Sequence, residues 1–195
     1  MDEMVRRAMA RWPNVPAVFG WLRLDRRGNW HVRLAEGEPA RFDRVTNPAL
    51  IGFIGRNYSS DDRGRRYFQN GPQRVYVSLD YAPWIVRLDD AGAALVTHTD
   101  RPVRTWSVVL VDDKGSLLIE TELGPAVLLD RDLSRFVDAL ASVEGHALDP
   151  EALIDRIVAG ELDEARVFGR TIRFEAIRYA DMESRLGFMR EPVPE

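Results

Sequence analysis

The sequence contains no cysteine, which excludes disulfide staples and thiolate metal sites and fits a reducing compartment. Positive charge is not in excess. The 27 Lys and Arg stand against 31 Asp and Glu, for a formal net charge of -4, so general nucleic-acid binding, which needs a basic field, is not expected. No apolar run approaches the length that spans a bilayer. The first twelve residues carry Arg6, Arg7 and Arg11 without the apolar stretch of a secretory leader, and the expected location is the cytoplasm. The chain lacks a Gly-x-Ser-x-Gly elbow. It also lacks a glycine-rich phosphate loop, since Gly52 and Gly55 have no Gly-Lys-Ser/Thr ending after them and read as close-packing positions. Of its 3 histidines, His31, His98 and His146, none has a partner at metal-ligand spacing. No cofactor is implied.

What is present is turn chemistry. Asp25 to Gly28, Asp89 to Gly92 and Asp112 to Gly115 each separate two apolar stretches, and Asp61 to Gly64 precedes Tyr67 and Phe68. Asp, two tolerant residues and Gly form the pattern of a hairpin that closes on a left-handed glycine. The Asp side chain accepts backbone N–H groups, and the Gly takes positive φ at no Cβ cost. Asn70-Gly71 is a fifth candidate turn. The irregular spacing of these turns reads as a degenerate supersecondary repeat rather than a solenoid. Val75, Val77 and Leu79 alternate with polar neighbours, as a strand with one wet face does.

Helices interrupt the hairpins. Met4, Val5, Ala8, Met9 and Trp12 recur at helical spacing ahead of Pro13, and the short basic amphipathic helix they form is expected to dock on the core rather than touch a membrane, so no membrane partner is expected. Asn47-Pro48 is an N-cap followed by proline at the first helical position. Asp130 precedes a stripe of Leu133, Phe136, Val137 and Leu140, and Asp149-Pro150 opens one with Leu153, Ile154, Ile157 and Val158. The expected class is α+β: antiparallel β-hairpins and a meander forming one or two sheets, covered by several short helices near 48–57, 131–143 and 150–159. The expected organisation is a hairpin-repeat core over 1–148, with 149–195 as a C-terminal helix and strand packed on it. The final residues to Glu195 are expected to fray.

The stretches Trp12 to Trp21, Asn47 to Ile51, Tyr67 to Val77 and Leu118 to Pro125 resemble an uncharacterised proteobacterial family, a domain of unknown function. The resemblance covers most of the chain and implies no activity and no site residue.

Candidate chemistry comes from the residues alone. The adjacent acids Asp61-Asp62, Asp89-Asp90 and Asp112-Asp113 do not alternate as calcium ligands do, and turn chemistry accounts for them. Asp130 and Asp132 are accounted for by helix capping. The tryptophans Trp21, Trp30, Trp84 and Trp106 flank hairpins and read as packing. The segment from Arg56 to Arg74 is a positive island with aromatic neighbours in an acidic chain. Arginine forks suit phosphate or carboxylate. Arg63, Arg65, Arg66, Arg74 and Tyr67 are therefore the candidate residues for an anionic small molecule or a protein partner, against the plainer reading of a solvated strand face. The leading expectation is a non-enzymatic binding or regulatory module. One alternative is an enzyme using His98 and Asp100 in a strand-exit loop. Another is a homo-oligomeric assembly protein, such as a homodimer.

Overall fold

The computed structural model describes residues 1–35, 37 and 39–194, with the side chains of Pro150, Glu151 and Ile154 excepted. The local wiring starts at the Asp-x-x-Gly turns. Asp25 Oδ1 accepts the N–H groups of Arg27 and Asn29, both at 2.8 Å, and the Gly28 N–H donates to the Asp25 carbonyl at 3.0 Å with Gly28 at φ 83°. Asp61 does the same with the N–H groups of Arg63 and Arg65, and Asp112 with those of Lys114 and Ser116. Asp89 takes the N–H groups of Ala93 and Ala94 instead. All four glycines sit at positive φ. Each carboxylate thus satisfies donors that a tight turn would leave exposed.

Two compact units result, 1–83 with 187–195, and 84–186. In the first, α1 (Glu3–Arg11) precedes β1 (Val18–Leu24), β2 (Trp30–Arg33) and β3 (Phe42–Arg44). Then come α2 (Pro48–Arg56), β4 (Tyr58–Ser60), β5 (Arg66–Asn70) and β6 (Gln73–Leu79). The sheet runs β3-β2-β1-β6-β5-β4, antiparallel except where β1 meets β6. Asn47 caps α2, its side chain accepting from the N–H groups of Ala49 and Leu50 at 2.9 and 3.2 Å. The helix seats Ile54 in the core and places Phe53 edge-to-face with Phe68, centroids 5.4 Å apart. In α1 only Val5 is fully buried, while Met4 and Trp12 of the expected stripe stay exposed. Residues 187–194 return to this unit through hydrogen bonds from Met189 N–H to the Gly64 carbonyl and from Leu79 N–H to the Arg190 carbonyl.

The second unit holds β7 (Trp84–Leu88), β8 (Leu95–Thr97), β9 (Trp106–Asp112), β10 (Leu117–Thr121) and β11 (Gly124–Leu128). After them come α3 (Leu133–Asp138), α4 (Pro150–Val158), β12 (Glu164–Val167), β13 (Arg170–Ile177) and α5 (Met182–Leu186). Its sheet runs β12-β13-β9-β10-β11-β7-β8, with β11 parallel to β7 and β13 parallel to β9. The two units share a five-strand plan. In the first the order is β2-β1-β6-β5-β4, and in the second β8-β7-β11-β10-β9. Each is a hairpin, a crossover, and a three-strand meander whose last strand returns parallel to the first. The Asp-x-x-Gly turns occupy matching places, closing the first hairpin and the first bend of the meander.

The fold is α+β with two mixed sheets of six and seven strands and several short helices. Several local expectations are corrected. Upstream of Asp61, where the sequence reads as helical or loop-like, lies the strand β4, paired with β5. The Asn70-Gly71 turn is shifted by one: Asn70 pairs with Gln73, so Gly71, at φ 58°, and Pro72 form the loop. Hairpins continue beyond 149, because β12 and β13 join through Phe168 and Gly169, both at positive φ. The expected helix over 131–143 is only the six residues of α3, preceded by a 3-10 turn at Asp130–Asp132. Asp132 makes no side-chain cap there. Its buried carboxylate accepts the Leu88 N–H at 3.0 Å instead. In α4, Leu153 and Ile157 are buried while Val158 is exposed, and the Ile154 side chain lies outside the described residues. The expected boundary at 148 falls inside the second unit, where α4 packs on β13 and β9. Among the described residues no helix is long and apolar enough to cross a membrane.

Candidate functional site

Strands β5 and β6 pair antiparallel with Tyr67 opposite Tyr76 and Gln69 opposite Arg74, so these four side chains share one face. Arg74 holds its guanidinium over the Tyr67 ring, 4.7 Å from the centroid, and Arg65 holds its own over Tyr76, also at 4.7 Å. The two tyrosines meet edge-on at 5.9 Å, and Phe19 stacks on Tyr76 at 4.4 Å. The result is a ladder of arginine, two tyrosines and arginine, each cation set against a ring face that attracts it.

The two ends of the ladder differ. Arg65 is buried, with Nε donating to Asp61 at 2.8 Å, one terminal nitrogen to the Val193 carbonyl at 3.1 Å, and the other to the Tyr76 hydroxyl at 3.3 Å. Burial pushes the Asp61 carboxyl up. The hydrogen bonds from the Arg65 side chain and N–H, the Tyr76 hydroxyl and the Arg63 N–H outweigh it and hold the group below the ordinary carboxylate range. Arg66 is buried too. It lies one residue out of phase with the ladder, its guanidinium 5.8 Å from the Tyr58 centroid. Arg63 is exposed at the turn, and Arg56 pairs with Asp2 at 3.2 Å. The structure therefore brings Arg65, Tyr67 and Arg74 together and leaves Arg63 and Arg66 apart from them. Arg74 is the ladder's exposed cation.

Arg74 lines a cleft of about 350 Å³. One wall is the end of α1 and the stiff connector after it, with Met9, Trp12 and Val15. The other is the β5–β6 hairpin, with Gln69, Pro72 and Arg74. Gln73 pins the connector by donating to the Pro16 carbonyl at 3.1 Å, and Arg11 sits over the Trp12 ring at 4.6 Å. Gln69 donates from Nε2 to the Gly71 carbonyl at 2.9 Å, which fixes which end of its amide is oxygen. That oxygen, Oε1, is buried and has no hydrogen-bond partner among the described residues. Sequence reasoning did not single out Gln69. Its one signal was a polar residue between the apolar Phe68 and the turn glycine Gly71.

The other candidates have local partners. His98 Nδ1 accepts the Ile85 N–H at 3.3 Å beside Trp84, while Asp100, left-handed at φ 59°, turns its carboxylate onto Arg87 at 3.0 Å. The two are engaged in different directions. His31 bonds Asp25 at 2.9 Å, and the His146 N–H donates to Ser142. No group of three or more metal-ligating side chains occurs among the described residues. The second unit has a cleft of about 450 Å³ between the ends of β9 and β13 and α5. Its rim charges are engaged internally, Arg185 with Glu175 at 3.0 Å and Arg178 with Asp181 at 2.7 Å.

A family model, DUF2944, described as protein of unknown function (DUF2946), matches residues 1–193, and the chain belongs to that family. No curated protein matches the sequence. Among solved structures, a DUF1285 family protein from Silicibacter pomeroyi DSS-3 is similar at a TM-score of 0.52 and 14% identity, over 91% of this chain and 97% of that one. At that identity the likeness shows the fold alone.

Proposed function

We propose that this member of a family of unknown function is a binding module that holds a small anionic ligand in the cleft of its first unit, between Arg74 and Trp12. The observation that carries this reading is the Arg74 guanidinium, exposed, held over Tyr67 and lining the cleft. A guanidinium already positioned by a ring loses less freedom when it forks onto a carboxylate or phosphate, and such forks are the strong, oriented kind of anion contact. The remaining walls, from Met9, Val15 and Pro72, add apolar surface beside the polar surface at Gln69 and Arg74. A cleft of this size lies at the low end of the roughly 300–1,000 Å³ usual for small-molecule sites, so a single ring with a short chain fits and a dinucleotide does not.

The test is a thermal-shift panel of aromatic and aliphatic carboxylates, phosphates and divalent cations. A ligand at about 100 times its dissociation constant adds roughly 2.7 kcal/mol of stability, which for a unit of this size raises the melting temperature by on the order of 5 °C. The expected result is a shift with carboxylates or phosphates that Arg74→Gln removes and Arg63→Gln does not. A shift that survives Arg74→Gln, or no shift with any anion, overturns the reading.

A further inference from the structure

The net charge of -4 is unevenly divided along the chain. Residues 1–83 with 187–195 carry 15 Lys and Arg against 11 Asp and Glu, a net of +4. Residues 84–186 carry 12 against 20, a net of -8. Charge of one sign gathered in one unit points to a partner of the other sign for that unit, a polyanion for the first.

The sheet register shows where the first unit presents its charge. Arg23 pairs with His31 and His31 with Arg44, while Arg33 pairs with Phe42. Alternation along each strand puts these five side chains on one face and the buried Leu22, Leu24 and Trp30 on the other. Asp43, the one acid within β1, β2 and β3, also points to the opposite face, since it pairs with Val32. Phe19, stacked on Tyr76, extends the arginine face across β1. Arg23 and Arg44 are exposed, and Phe19, Arg33 and Phe42 are half-buried. Arg23 pairs with Asp80 and lies 6.0 Å from the Phe42 ring centroid. Arg33 ties down the loop before β3 by donating to the Ala35 and Gly37 carbonyls at 3.0 and 2.6 Å. Arg44 has no hydrogen bond or ion pair from its side chain among the described residues.

The second unit shows what the shared plan requires by itself. It pairs Arg87 with Val96 where the first pairs Arg23 with His31, and Leu118 with Val127 where the first pairs Tyr67 with Tyr76. It has no strand in the place of β3. The frame forms without these rings and arginines, so they are particular to the cationic unit.

We infer that this face of β1, β2 and β3 binds single-stranded nucleic acid, with bases stacked on Phe42 and Phe19 and phosphates set against the arginines, Arg44 first. Half-exposed rings among arginines on an open sheet face match an unpaired strand, in which every base offers a π-face and every linkage a charge. A duplex keeps those base faces stacked on one another, and a bilayer offers the rings none. The surface is separate from the cleft at Arg74 and does not depend on it.

Fluorescence anisotropy of the full chain with an end-labelled six-nucleotide oligouridylate at low salt tests this. The expected result is saturable binding that weakens with salt at a log–log slope of about -0.7 to -2, as one to three phosphate contacts give. Phe42→Ala is expected to weaken binding about tenfold, the worth of one stacked base. Arg44→Gln is expected to weaken it too and to reduce the slope by about 0.7. Because Arg44 is exposed and unpaired, that variant decides even if Phe42→Ala folds poorly. Arg74→Gln is expected to leave the oligomer bound, whereas its loss in that variant alone would move the site to the cleft and overturn the assignment to this face. No binding of the oligomer, or binding indifferent to Phe42→Ala and Arg44→Gln, overturns the inference. So does displacement by inorganic polyphosphate of equal charge as effective as by unlabelled oligomer, because the rings then contribute nothing. Cosedimentation with phosphatidylserine vesicles in the absence of any oligomer binding would replace nucleic acid with a membrane surface.

Discussion

Arg65 lies over the ring of Tyr76 at 4.7 Å while both donate to one carboxylate, that of Asp61, at 2.8 and 3.0 Å. This closed triangle ties the turn at Asp61 to β6, and through the Val193 carbonyl to the returning C-terminal segment. Arg65 is thereby a structural residue. Removing it leaves a partly buried carboxylate without its cation, a loss of about 3 kcal/mol. Arg65→Gln is expected to lower the urea midpoint accordingly without changing anion binding per folded molecule. Loss of binding in a variant of unchanged stability would contradict that assignment.

The same triangle fixes a pH dependence. The Asp61 carboxyl is held below its ordinary value, so the unfolded chain binds its proton more readily than the folded one. The contribution to stability is full above about pH 4, the unfolded value. It is lost as pH falls through the lower folded value. Asp61→Asn is expected to be less stable at neutral pH and to lose less on acidification than the wild type, as followed by urea unfolding at a series of pH values. Parallel profiles for the two proteins would argue against the triangle.

Two turn glycines separate conformation from contact. Gly115 and Gly64 have similar φ, 76° and 74°. A Cβ on Gly115 meets nothing within 4 Å, whereas one on Gly64 falls on the Gly187 carbonyl. Gly115→Ala is expected to cost about 1 kcal/mol, the left-handed penalty alone. Gly64→Ala is expected to cost about 2–4 kcal/mol, because backbone must also shift. Equal thermal shifts for the two variants would mean that the C-terminal segment does not press on Gly64.

Asp132 carries a fourth structural prediction. Its carboxylate takes the Leu88 N–H at the end of β7. Asp132→Ala strands that buried donor and should cost about 1–3 kcal/mol. Asp132→Asn keeps an acceptor and should recover most of it. An Asn variant as unstable as the Ala variant would show that charge, not the hydrogen bond, matters there.

The parts of this fold that were legible in the sequence are those whose cause is local. Asp25, Asp61, Asp89 and Asp112 announce their turns because one side chain satisfies the N–H groups of the next few residues. Asn47 announces α2 for the same reason. The parallel contacts of β1 with β6, β7 with β11 and β9 with β13 were not legible, since each joins strands that are far apart in sequence. β12 escaped because Glu164 to Val167 is short and half charged. The candidate site was legible in kind and not in detail. Arg65 is held by Tyr76 and Val193, distant in sequence, so nothing near it signalled burial. Gln69 becomes meaningful only when the connector after α1 forms a wall opposite it.

The most direct test of the central claim, that Arg74 and not the buried arginines receives the anion, is the side-chain Nε–H resonance of Arg74 in a nitrogen-15 NMR titration with 3-phenylpropionate, assigned by its absence in Arg74→Gln. The expected result is a saturable shift of that resonance together with the Gln69 side-chain amide, while those of Arg65 and Arg66 stay in place. Saturable shifts at Arg65 or Arg66 with Arg74 unmoved, or shifts confined to the second unit, would contradict it.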